Sequence, residues 1–295
     1  MKIAILSGGK SEEKEISLIS ADSVKKSMDR LGYESEIIDI EDLSFIEKIN
    51  NYDLFFNALH GNTGEDGKIQ AFLEMTEKKY TSSPMETCVI TFDKYNFYNI
   101  FKNKFKFPET IKTEKFIPAP FSYPLILKPR KSGSSKGVYI IHNENEYNLH
   151  LNELIEKYGD AVIQEYIKGT EISVSYLEKD KKFIRLPYLI IKPKKEFYDY
   201  QAKYTQGLTD FETVISFTEK IENQIQKIEN SIFDSLIFKD IFRLDAIIKD
   251  DTVYVLEINI VPGLTPLSDL PQSAAAIKIS FDQVIQSMIN NNTGA

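Results

Sequence analysis

The sequence has one cysteine and few glycines, and it lacks long apolar runs. Because Cys88 is alone, no disulfide can form within the chain, and a metal would have to be held by oxygen atoms or by three scattered histidines. We therefore do not expect a zinc site. No apolar run approaches the roughly 18 residues of a membrane span, and the run from Ile3 to Leu6 is too short for the core of a signal peptide. We expect a cytoplasmic protein without a membrane partner.

Positive charge is also in short supply. The chain has 36 lysine and arginine residues against 44 aspartate and glutamate residues, which gives a net charge of −8. A uniform basic surface for nucleic acid is therefore excluded, and any phosphate site has to be a local cluster. Of the 295 residues, 42% are hydrophobic and 27% are charged, which is typical of a globular protein and excludes a mainly disordered chain.

The first 80 residues or so predict a small parallel α/β layer. An apolar run over 2–6 is followed by a turn at Gly8-Gly9 and a helical pattern over 17–31, and two more strands are expected over 35–40 and 54–58. The glycine-rich loop that follows, 61–67, leaves the carboxyl end of a strand, which is where open α/β sheets place their ligands.

The remaining chain predicts an α+β arrangement that leans toward antiparallel sheets. Helices are expected over 92–105, 144–158 and 218–235, and an extended linker over 116–124. Strands are expected over 125–128, 138–142, 161–164, 172–177, 241–249 and 253–260, and the stretch 183–191 also belongs to the third part. We divide the chain into an N-terminal α/β domain (1–84), a central subdomain (85–178) and a C-terminal subdomain (179–295).

The strongest chemical signal is a pair of strands with polar residues on one face. Side chains alternate along a strand, so Arg243 and Asp245 share a face of the first strand, and Glu257 and Asn259 share a face of the second. If Asp245 lies opposite Glu257, the four polar groups lie together. Two carboxylates and an amide oxygen suit Mg²⁺, whereas the alternative is a solvated hairpin face with incidental charges.

This grouping makes a demand on the turn between the two strands. A two-residue turn would pair Asp245 with Leu256 and direct Asp245 away from Glu257. We therefore predict a three-residue turn over 250–252, or an equivalent bulge in it, with Lys249 opposite Val253.

A glycine- and serine-rich loop over 132–137 follows the strand that ends at Lys128. Its N–H groups and hydroxyls can wrap a polyphosphate, with Lys128 supplying charge, although the spacing of a Walker loop is absent. A plain hairpin loop is the alternative. His60, next to Gly61, is of a kind that is most often a structural loop histidine.

Eight motifs, taken in order, resemble those of the D-alanine:D-alanine ligases of the ATP-grasp fold and cover nearly the whole chain. They are Glu13-Lys-Glu15-Ile-Ser17, Ala58-Leu-His-Gly61 with Gly64-Glu-Asp-Gly67, Asp93-Lys94, Leu127-Lys-Pro129, Gly133-Ser-Ser-Lys-Gly137, Phe197-Tyr-Asp-Tyr-Gln-Ala-Lys-Tyr204, Arg243-Leu-Asp245, and Leu256-Glu-Ile-Asn259 with Pro262-Gly-Leu-Thr265.

The resemblance implies an N-terminal parallel α/β domain followed by two ATP-grasp subdomains. It implies an ATP-dependent ligase that joins two D-alanines through an acyl phosphate and supplies peptidoglycan precursors. Two Mg²⁺ or Mn²⁺ ions would bind Asp245, Glu257 and Asn259. The resemblance also assigns ATP contacts, which are Lys94, Lys128, Ser135, Gln164, Glu165, Tyr166, Ile167, Glu171 and Lys203.

The same resemblance assigns catalytic and substrate contacts. Glu13 would anchor the ammonium of the first substrate, oriented by Ser134 and Tyr204. Arg243 and the Gly263 N–H would stabilise the tetrahedral intermediate. The other substrate contacts implied are His60, Ser268 and Asp269.

Tyr204 favours a dipeptide over a depsipeptide product, but three residues depart from the family pattern: Ser82, Lys136 and Asp269. The carboxylate of Asp269 would repel the carboxylate of an incoming second substrate unless it turns away or pairs with a cation. Two alternatives therefore stay open, an ATP-grasp ligase of another amino acid pair and a nucleotide-binding relative without catalysis. The partners expected are ATP and amino acids, and a homodimer is one oligomeric state that the sequence leaves open.

Overall fold

A computed structural model describes residues 1–194, 207–265 and 268–294. The N-terminal part is a three-stranded parallel sheet in the order β2-β1-β3, as predicted. Its strands are β1 (Lys2–Ser7), β2 (Glu34–Asp39) and β3 (Leu54–Asn57). It packs against α1 (Lys14–Arg30), a 3₁₀ helix (Leu43–Asn51) and α2 (Lys68–Met75).

The central strand β1 is apolar because both of its faces are covered. Ile3 and Ile5 pack in one core with α1, whereas Ala4 and Leu6 pack in a second core with the 3₁₀ helix and α2. Successive side chains of β1 thus point alternately into two cores, which is the pattern of a parallel sheet covered on both sides.

The central part is a four-stranded antiparallel sheet in the order β4-β7-β5-β6. Its strands are β4 (Thr110–Thr113), β5 (Leu125–Lys128), β6 (Tyr139–Ile141) and β7 (Ala161–Glu165). One face is covered by α5 (Glu144–Tyr158), whose Leu151 and Leu154 pack on Leu125 and Leu127. The sequence had indicated the sheet and the helix but not β4.

The third sheet has the order β11-β10-β8-β12-β13, with β9 also paired to β8. Its strands are β8 (Thr170–Lys179), β9 (Lys182–Arg185), β10 (Tyr188–Pro193), β11 (Thr209–Val214), β12 (Ile241–Lys249) and β13 (Thr252–Asn259). Two helices lie between the N-terminal sheet and β4 in the chain, α3 (Met85–Phe92) and α4 (Lys94–Phe101). Three helices belong to the C-terminal part, α6 (Glu219–Phe233), α7 (Asp269–Ala276) and α8 (Phe281–Thr293). Among the described helices, none is long and apolar enough to cross a membrane.

The helix predicted over 92–105 is wrong in one respect. Within that range Lys94–Phe101 is helical, as α4, and α3, which the sequence did not indicate, ends just before it at Phe92. Between them, at Asp93, the backbone is extended and the side chain caps α4 by accepting the N–H of Asn96. The three-domain division stays a prediction, although β8 pairs with β12 across its boundary at 178/179.

Candidate active site

The β12–β13 hairpin brings the four predicted polar residues onto one face. Arg243 pairs with Asn259, and Asp245 pairs with Glu257. The predicted three-residue turn is wrong: Lys249 lies opposite Thr252, and the turn holds only two residues, both aspartates with positive φ. Such a turn matches the twist of a hairpin.

The register is restored by a bulge farther along the hairpin rather than in the turn. Ala246 pairs with Val255, whereas Asp245 pairs with Glu257, so Leu256 is the extra residue. A bulge shifts the pairing by one and brings Asp245 and Glu257 to the same face. The polar face thus survives, although the turn that was predicted to produce it does not occur.

Arg243 lies between two carboxylates. Its Nε and Nη2 donate to the two oxygens of Asp245 at 2.8 and 2.7 Å, and its Nη1 lies 3.1 Å from Oδ2 of Asp269, the first residue of α7. All three residues are buried. The carboxylate of Asp269, which the sequence left as a source of repulsion, therefore has a cationic partner.

A cavity of about 460 Å³ lies between the two antiparallel sheets. Asp245 and Glu257 line it together with all but one of the predicted ATP contacts, namely Lys94, Lys128, Ser135, Gln164, Glu165, Tyr166, Ile167 and Glu171. The remaining contact, Lys203, lies outside the described residues. The structure thus gathers into one cavity residues that are far apart in the sequence.

The apolar walls of this cavity were missed in the sequence. Ile126 of β5, Ile140 of β6 and Ile190 of β10 line it, with Val138 and Leu256. Such side chains look like ordinary strand residues in a sequence, since only the pairing of the sheets shows that they face a space. An apolar slot with charged groups at one end is typical of a ligand pocket.

Lys128 is a buried cation within the cavity. Its Nζ donates to Oε1 of Gln164 at 2.9 Å, and Gln164 in turn donates to Oγ1 of Thr110 at 2.8 Å. Burial, together with the nearby ammonium of Lys94, lowers the pKa of Lys128 to about 8, although Glu257 opposes this shift. At neutral pH the ammonium form still predominates, so a charged donor is held in a low-dielectric wall.

Lys94 connects the hairpin to the glycine- and serine-rich loop. Its Nζ lies 3.2 Å from Oε2 of Glu257 and donates to the carbonyl oxygen of Ser132. Lys94 is the first residue of α4, so the start of this helix is fixed relative to both neighbours.

Glu13 and Ser134 meet although they belong to different parts of the chain. The hydroxyl of Ser134 donates to Oε1 of Glu13, which is buried at the start of α1. Burial, followed by the like charge of Glu65, raises the pKa of Glu13, and the hydrogen bond from Ser134 opposes this shift. Gly61 packs against the same carboxylate, because a Cβ there would lie 2.4 Å from Oε2 of Glu13. Tyr204, the third predicted member of this group, lies outside the described residues.

Two further contacts hold this region. The Nζ of Lys136, one of the departures from the family pattern, donates to the carbonyl oxygen of Glu12 and so ties the loop to the N-terminal part. His60 is buried behind Glu65, with Nε2 2.9 Å from Oγ of Ser20 and Nδ1 3.5 Å from Oε1 of Glu65. Both of these contacts are to protein groups, which is the arrangement of a structural loop histidine.

Gly263 and Ser268 are neighbours at the end of the hairpin. Oγ of Ser268 accepts the N–H of Thr265 at 3.2 Å, and a Cβ on Gly263 would lie 2.6 Å from the same oxygen. Asn259 differs from Asp245 and Glu257 in its contacts, because its Oδ1 accepts the N–H of Val261 at 2.9 Å. Asn259 therefore shapes the turn that leads to Gly263.

The donor set of the hairpin fits a hard divalent cation in kind. Two carboxylates and an amide oxygen occupy facing positions, and Mg²⁺ is usually bound by one or two carboxylates together with phosphate oxygens. In the structure these carboxylates pair with Arg243 and Lys94. Within residues 1–194, 207–265 and 268–294, no group of three or more His, Cys, Asp or Glu side chains is placed to hold a metal by itself.

Comparisons with known proteins agree along the whole chain. Residues 39–83 match the family model described as D-ala D-ala ligase N-terminus, and residues 91–290 match the one described as D-ala D-ala ligase C-terminus. A D-alanine–D-alanine ligase of Petrotoga mobilis is 55% identical over 292 residues, covering 99% of this chain and 98% of the relative. One from Thermotoga maritima is 38% identical over 294 residues, covering 99% of this chain and 97% of the relative.

Among solved structures, a D-alanine–D-alanine ligase from Bacillus anthracis complexed with ATP superposes with a TM-score of 0.84 at 30% identity. The match covers 99% of this chain and 97% of that chain.

Proposed function

The chain belongs to the D-alanine–D-alanine ligase family, and we propose that it uses ATP to join two D-alanine molecules into D-alanyl-D-alanine for peptidoglycan precursors. It is a ligase with the ATP-grasp fold. The single observation that carries the proposal is the facing pair Asp245 and Glu257, which lines one cavity with Lys94 and Lys128. ATP use also supports the cytoplasmic location expected from the sequence.

ATP occupies the cavity between the antiparallel sheets in this proposal. The apolar walls formed by β5, β6 and β10 receive the base, and residues 164–167 with Glu171 receive the hydrogen-bonding edges of the base and ribose. Lys94 and Lys128 bind phosphate oxygens, for which buried or half-buried ammonium groups are well suited. The relative solved with ATP supports this use of the cavity.

Asp245, Glu257 and Asn259 would hold two Mg²⁺ ions in this proposal. Such ions would supply positive charge to neutralise the transferring phosphoryl group. To serve as ligands, Glu257 would have to give up its contact with Lys94 and Asp245 part of its contact with Arg243, and Lys94 would then be available to the phosphates.

The two substrates bind beside the phosphates. Glu13, held by Ser134, accepts the ammonium of the first D-alanine, and the carboxylate of that molecule attacks the terminal phosphorus to form an acyl phosphate and ADP. The amine of the second D-alanine then attacks the acyl carbon. The attacking nitrogen loses its extra protons to solvent and phosphate, and phosphate leaves as the tetrahedral intermediate collapses. The products are the dipeptide, ADP, phosphate and a proton.

The charge that develops on the acyl oxygen lies near Arg243 and the N–H of Gly263 in this proposal. Oriented donors stabilise such an oxyanion more strongly than water does, because they need no reorganisation. Ser268, packed against Gly263, contacts the carboxylate of the second substrate. Asp269 is paired with Arg243, so its negative charge is offset and does not repel the carboxylate of the second substrate.

A ligase of another amino acid pair is the second candidate, because Asp269 departs from the family pattern beside the second substrate. A nucleotide-binding protein without catalysis is disfavoured. Such a protein would have no use for Arg243, Asp245 and Glu257 on one face of an otherwise largely apolar hairpin.

Phosphate release separates these candidates. The purified protein is assayed with ATP, Mg²⁺ and each D- and L-amino acid, alone and in pairs. We expect D-alanine alone to release one phosphate for each dipeptide formed. Faster release with another pair would favour the second candidate, and ATP binding without phosphate release under any condition would favour the third.

A further inference from the structure

Arg130 makes an ion-pair cluster just outside the cavity. It follows β5 and stands two residues after Lys128. Its Nε donates to Oδ1 of Asp93 at 2.7 Å, and its Nη2 lies 2.6 Å from Oδ2 of the same carboxylate. Its Nη1 donates to Oδ2 of Asp160 at 3.2 Å. The two parallel contacts to Asp93 are the strongest geometry that a guanidinium and a carboxylate can adopt.

The same residue holds the backbone of the segment that it pairs with. The carbonyl oxygen of Arg130 accepts the N–H of Lys94 at 3.2 Å, and Oδ1 of Asp93 caps α4 by accepting the N–H of Asn96 at 3.0 Å. Arg130 therefore binds Asp93 through its side chain and Lys94 through its main chain. The first turn of α4 is fixed against the end of β5.

This attachment sets where the ammonium of Lys94 can reach. The side chain of Lys94 has a fixed maximum reach. The position of its Cα therefore decides whether Nζ stays at Ser132 and Glu257, where the structure places it. Arg130, Asp93 and Asp160 are absent from the cavity lining. Their effect on a bound nucleotide has to pass through Lys94 or through the loop that follows Arg130.

We propose that Arg130 is a positioning residue for ATP binding, which holds Lys94 in reach of the phosphates through its paired contacts to Asp93 and Lys94. The proposal rests on the phosphate-binding role proposed above for Lys94. It predicts that loss of the Arg130 guanidinium weakens the binding of the phosphates and leaves the binding of the base and ribose unchanged.

A double-mutant cycle tests this coupling. The wild type, Arg130→Gln, Lys94→Ala and the double variant are titrated calorimetrically with a non-hydrolysable ATP analogue and with adenosine. We expect Arg130→Gln to weaken the ATP analogue about tenfold and to change adenosine binding less than about twofold. In the Lys94→Ala background we expect Arg130→Gln to cause no further loss.

Additive losses would overturn the proposal, since Arg130 would then act independently of Lys94. An equal loss for adenosine would also overturn it, because a general distortion of the cavity would be the cause. If Lys94→Ala binds the ATP analogue as well as the wild type does, the phosphate role of Lys94 fails and the inference fails with it. That outcome differs from additive losses, in which Lys94→Ala itself binds weakly.

Three more variants guard against a trivial loss of folding. Asp93→Asn keeps an amide oxygen for the helix cap but loses the ion pair, so we expect it to weaken binding of the ATP analogue in the way predicted for Arg130→Gln. It takes the place of Arg130→Gln in the test if Arg130→Gln does not fold. Arg130→Lys keeps the charge without the paired geometry and should recover only part of the affinity. Arg185→Lys is the matched control, because Arg185 also bridges two acidic residues, Glu222 and Glu229, outside the cavity lining. It should bind both ligands like the wild type.

Discussion

Nη1 of Arg243 lies 3.1 Å from Oδ2 of Asp269, and this ion pair joins β12 to the first turn of α7. The side chain of each residue is about one-tenth exposed. A buried carboxylate at this place would repel a second carboxylate, but here its charge is offset by a guanidinium that also holds Asp245. The residue that departs from the family pattern is thereby part of the structure that orients Arg243.

The first prediction concerns the stability of this charge cluster. Arg243→Met leaves Asp245 and Asp269 buried without their cation, so we expect the free energy of unfolding to fall by about 3–5 kcal/mol. Adding Asp269→Leu removes one of the two carboxylates that Arg243 contacts and should restore part of that loss. Urea unfolding followed by circular dichroism measures both changes.

Arg30→Met is the control for this experiment. Arg30 pairs with Asp282 at the surface, where solvent screens such a pair, so its loss should change stability little. Equal losses for Arg30→Met and Arg243→Met, or no recovery on adding Asp269→Leu, would contradict the burial argument.

The second prediction concerns the metal site. Glu257→Gln should lower turnover by a factor on the order of 100 or more, because a cation ligand is weakened, while the fold stays intact. The dependence of turnover on Mg²⁺ concentration should shift to higher concentration. Steady-state assays over a Mg²⁺ series, with thermal unfolding as the measure of folding, test both expectations.

Asp251→Asn is a matched control from the same hairpin. It removes a carboxylate from the turn, where φ is positive and asparagine is well tolerated, and Asp251 is absent from the cavity lining. Its turnover should equal that of the wild type. A folded Glu257→Gln enzyme with turnover close to that of the wild type would remove Glu257 from the metal site.

The hairpin shows what a sequence can and cannot predict here. Alternation correctly placed Asp245 and Glu257 on one face, because the polar and apolar positions in each strand are distinct. The predicted length of the turn was wrong because a bulge at any position between the turn and Asp245 brings Asp245 and Glu257 to the same face. Nothing in Leu256 itself distinguishes a bulged residue from a paired one.

The remaining gaps in the prediction are long-range contacts and elements that the sequence did not indicate, such as β11, α7 and α8. The pairing of Asp269 with Arg243, and the apolar walls supplied by Ile126, Ile140 and Ile190, depend on how separate elements pack. Periodicity reports only the neighbours along a helix or strand, so it indicated many of the elements and not these contacts. β4 was missed because Thr110–Thr113 is short and has a single strongly apolar residue.

The third prediction concerns the pH dependence of the first substrate. The carboxylate of Glu13 must be ionised to hold an ammonium group, and burial with the like charge of Glu65 raises its pKa. Activity should therefore be lost, as pH falls, at a higher pH than for an ordinary glutamate. Glu65→Gln removes the like charge but keeps an oxygen for the N–H of Gly61, so the acidic limb of kcat/KM for D-alanine should move to lower pH.

Glu41→Gln serves as the control, since Glu41 is an exposed partner of Lys14. Its acidic limb should match that of the wild type. An acidic limb that Glu65→Gln leaves in place, or moves to higher pH, would mean that another group governs the profile.

The fourth prediction concerns Asp240, a fully buried carboxylate outside the cavity lining. It accepts the N–H of Ser82, whose φ of +97° is in a region that favours glycine, and the side-chain amides of Asn291 and Asn292. Burial is the largest cause that raises the pKa of Asp240 to about 6, although Lys239 and these hydrogen bonds oppose the shift. The folded protein therefore binds this proton more tightly than the unfolded chain does.

Asp240 should for this reason make stability fall as pH rises from about 4 to about 7. Its contribution is fully present below the ordinary pKa of an aspartate and is lost as pH rises through about 6, a change of about 3 kcal/mol. Asp240→Asn cannot titrate, so the difference in unfolding free energy between the wild type and this variant should shrink by that amount over the same range. Urea unfolding at several pH values measures the difference and cancels the contributions of other groups.

Asp282→Asn should behave in the opposite way. The hydrogen bond from Arg30 lowers the pKa of Asp282, so its ionised form is favoured in the folded protein, and its contribution to stability is lost as pH falls. The difference between the wild type and Asp282→Asn should therefore stay nearly constant between about pH 5 and 7 and shrink as pH falls below about 4, while that for Asp240→Asn shrinks as pH rises from about 4 to 7. An Asp240→Asn difference that is constant with pH, or that grows as pH rises from about 4 to 7, would show that burial does not control the proton on Asp240.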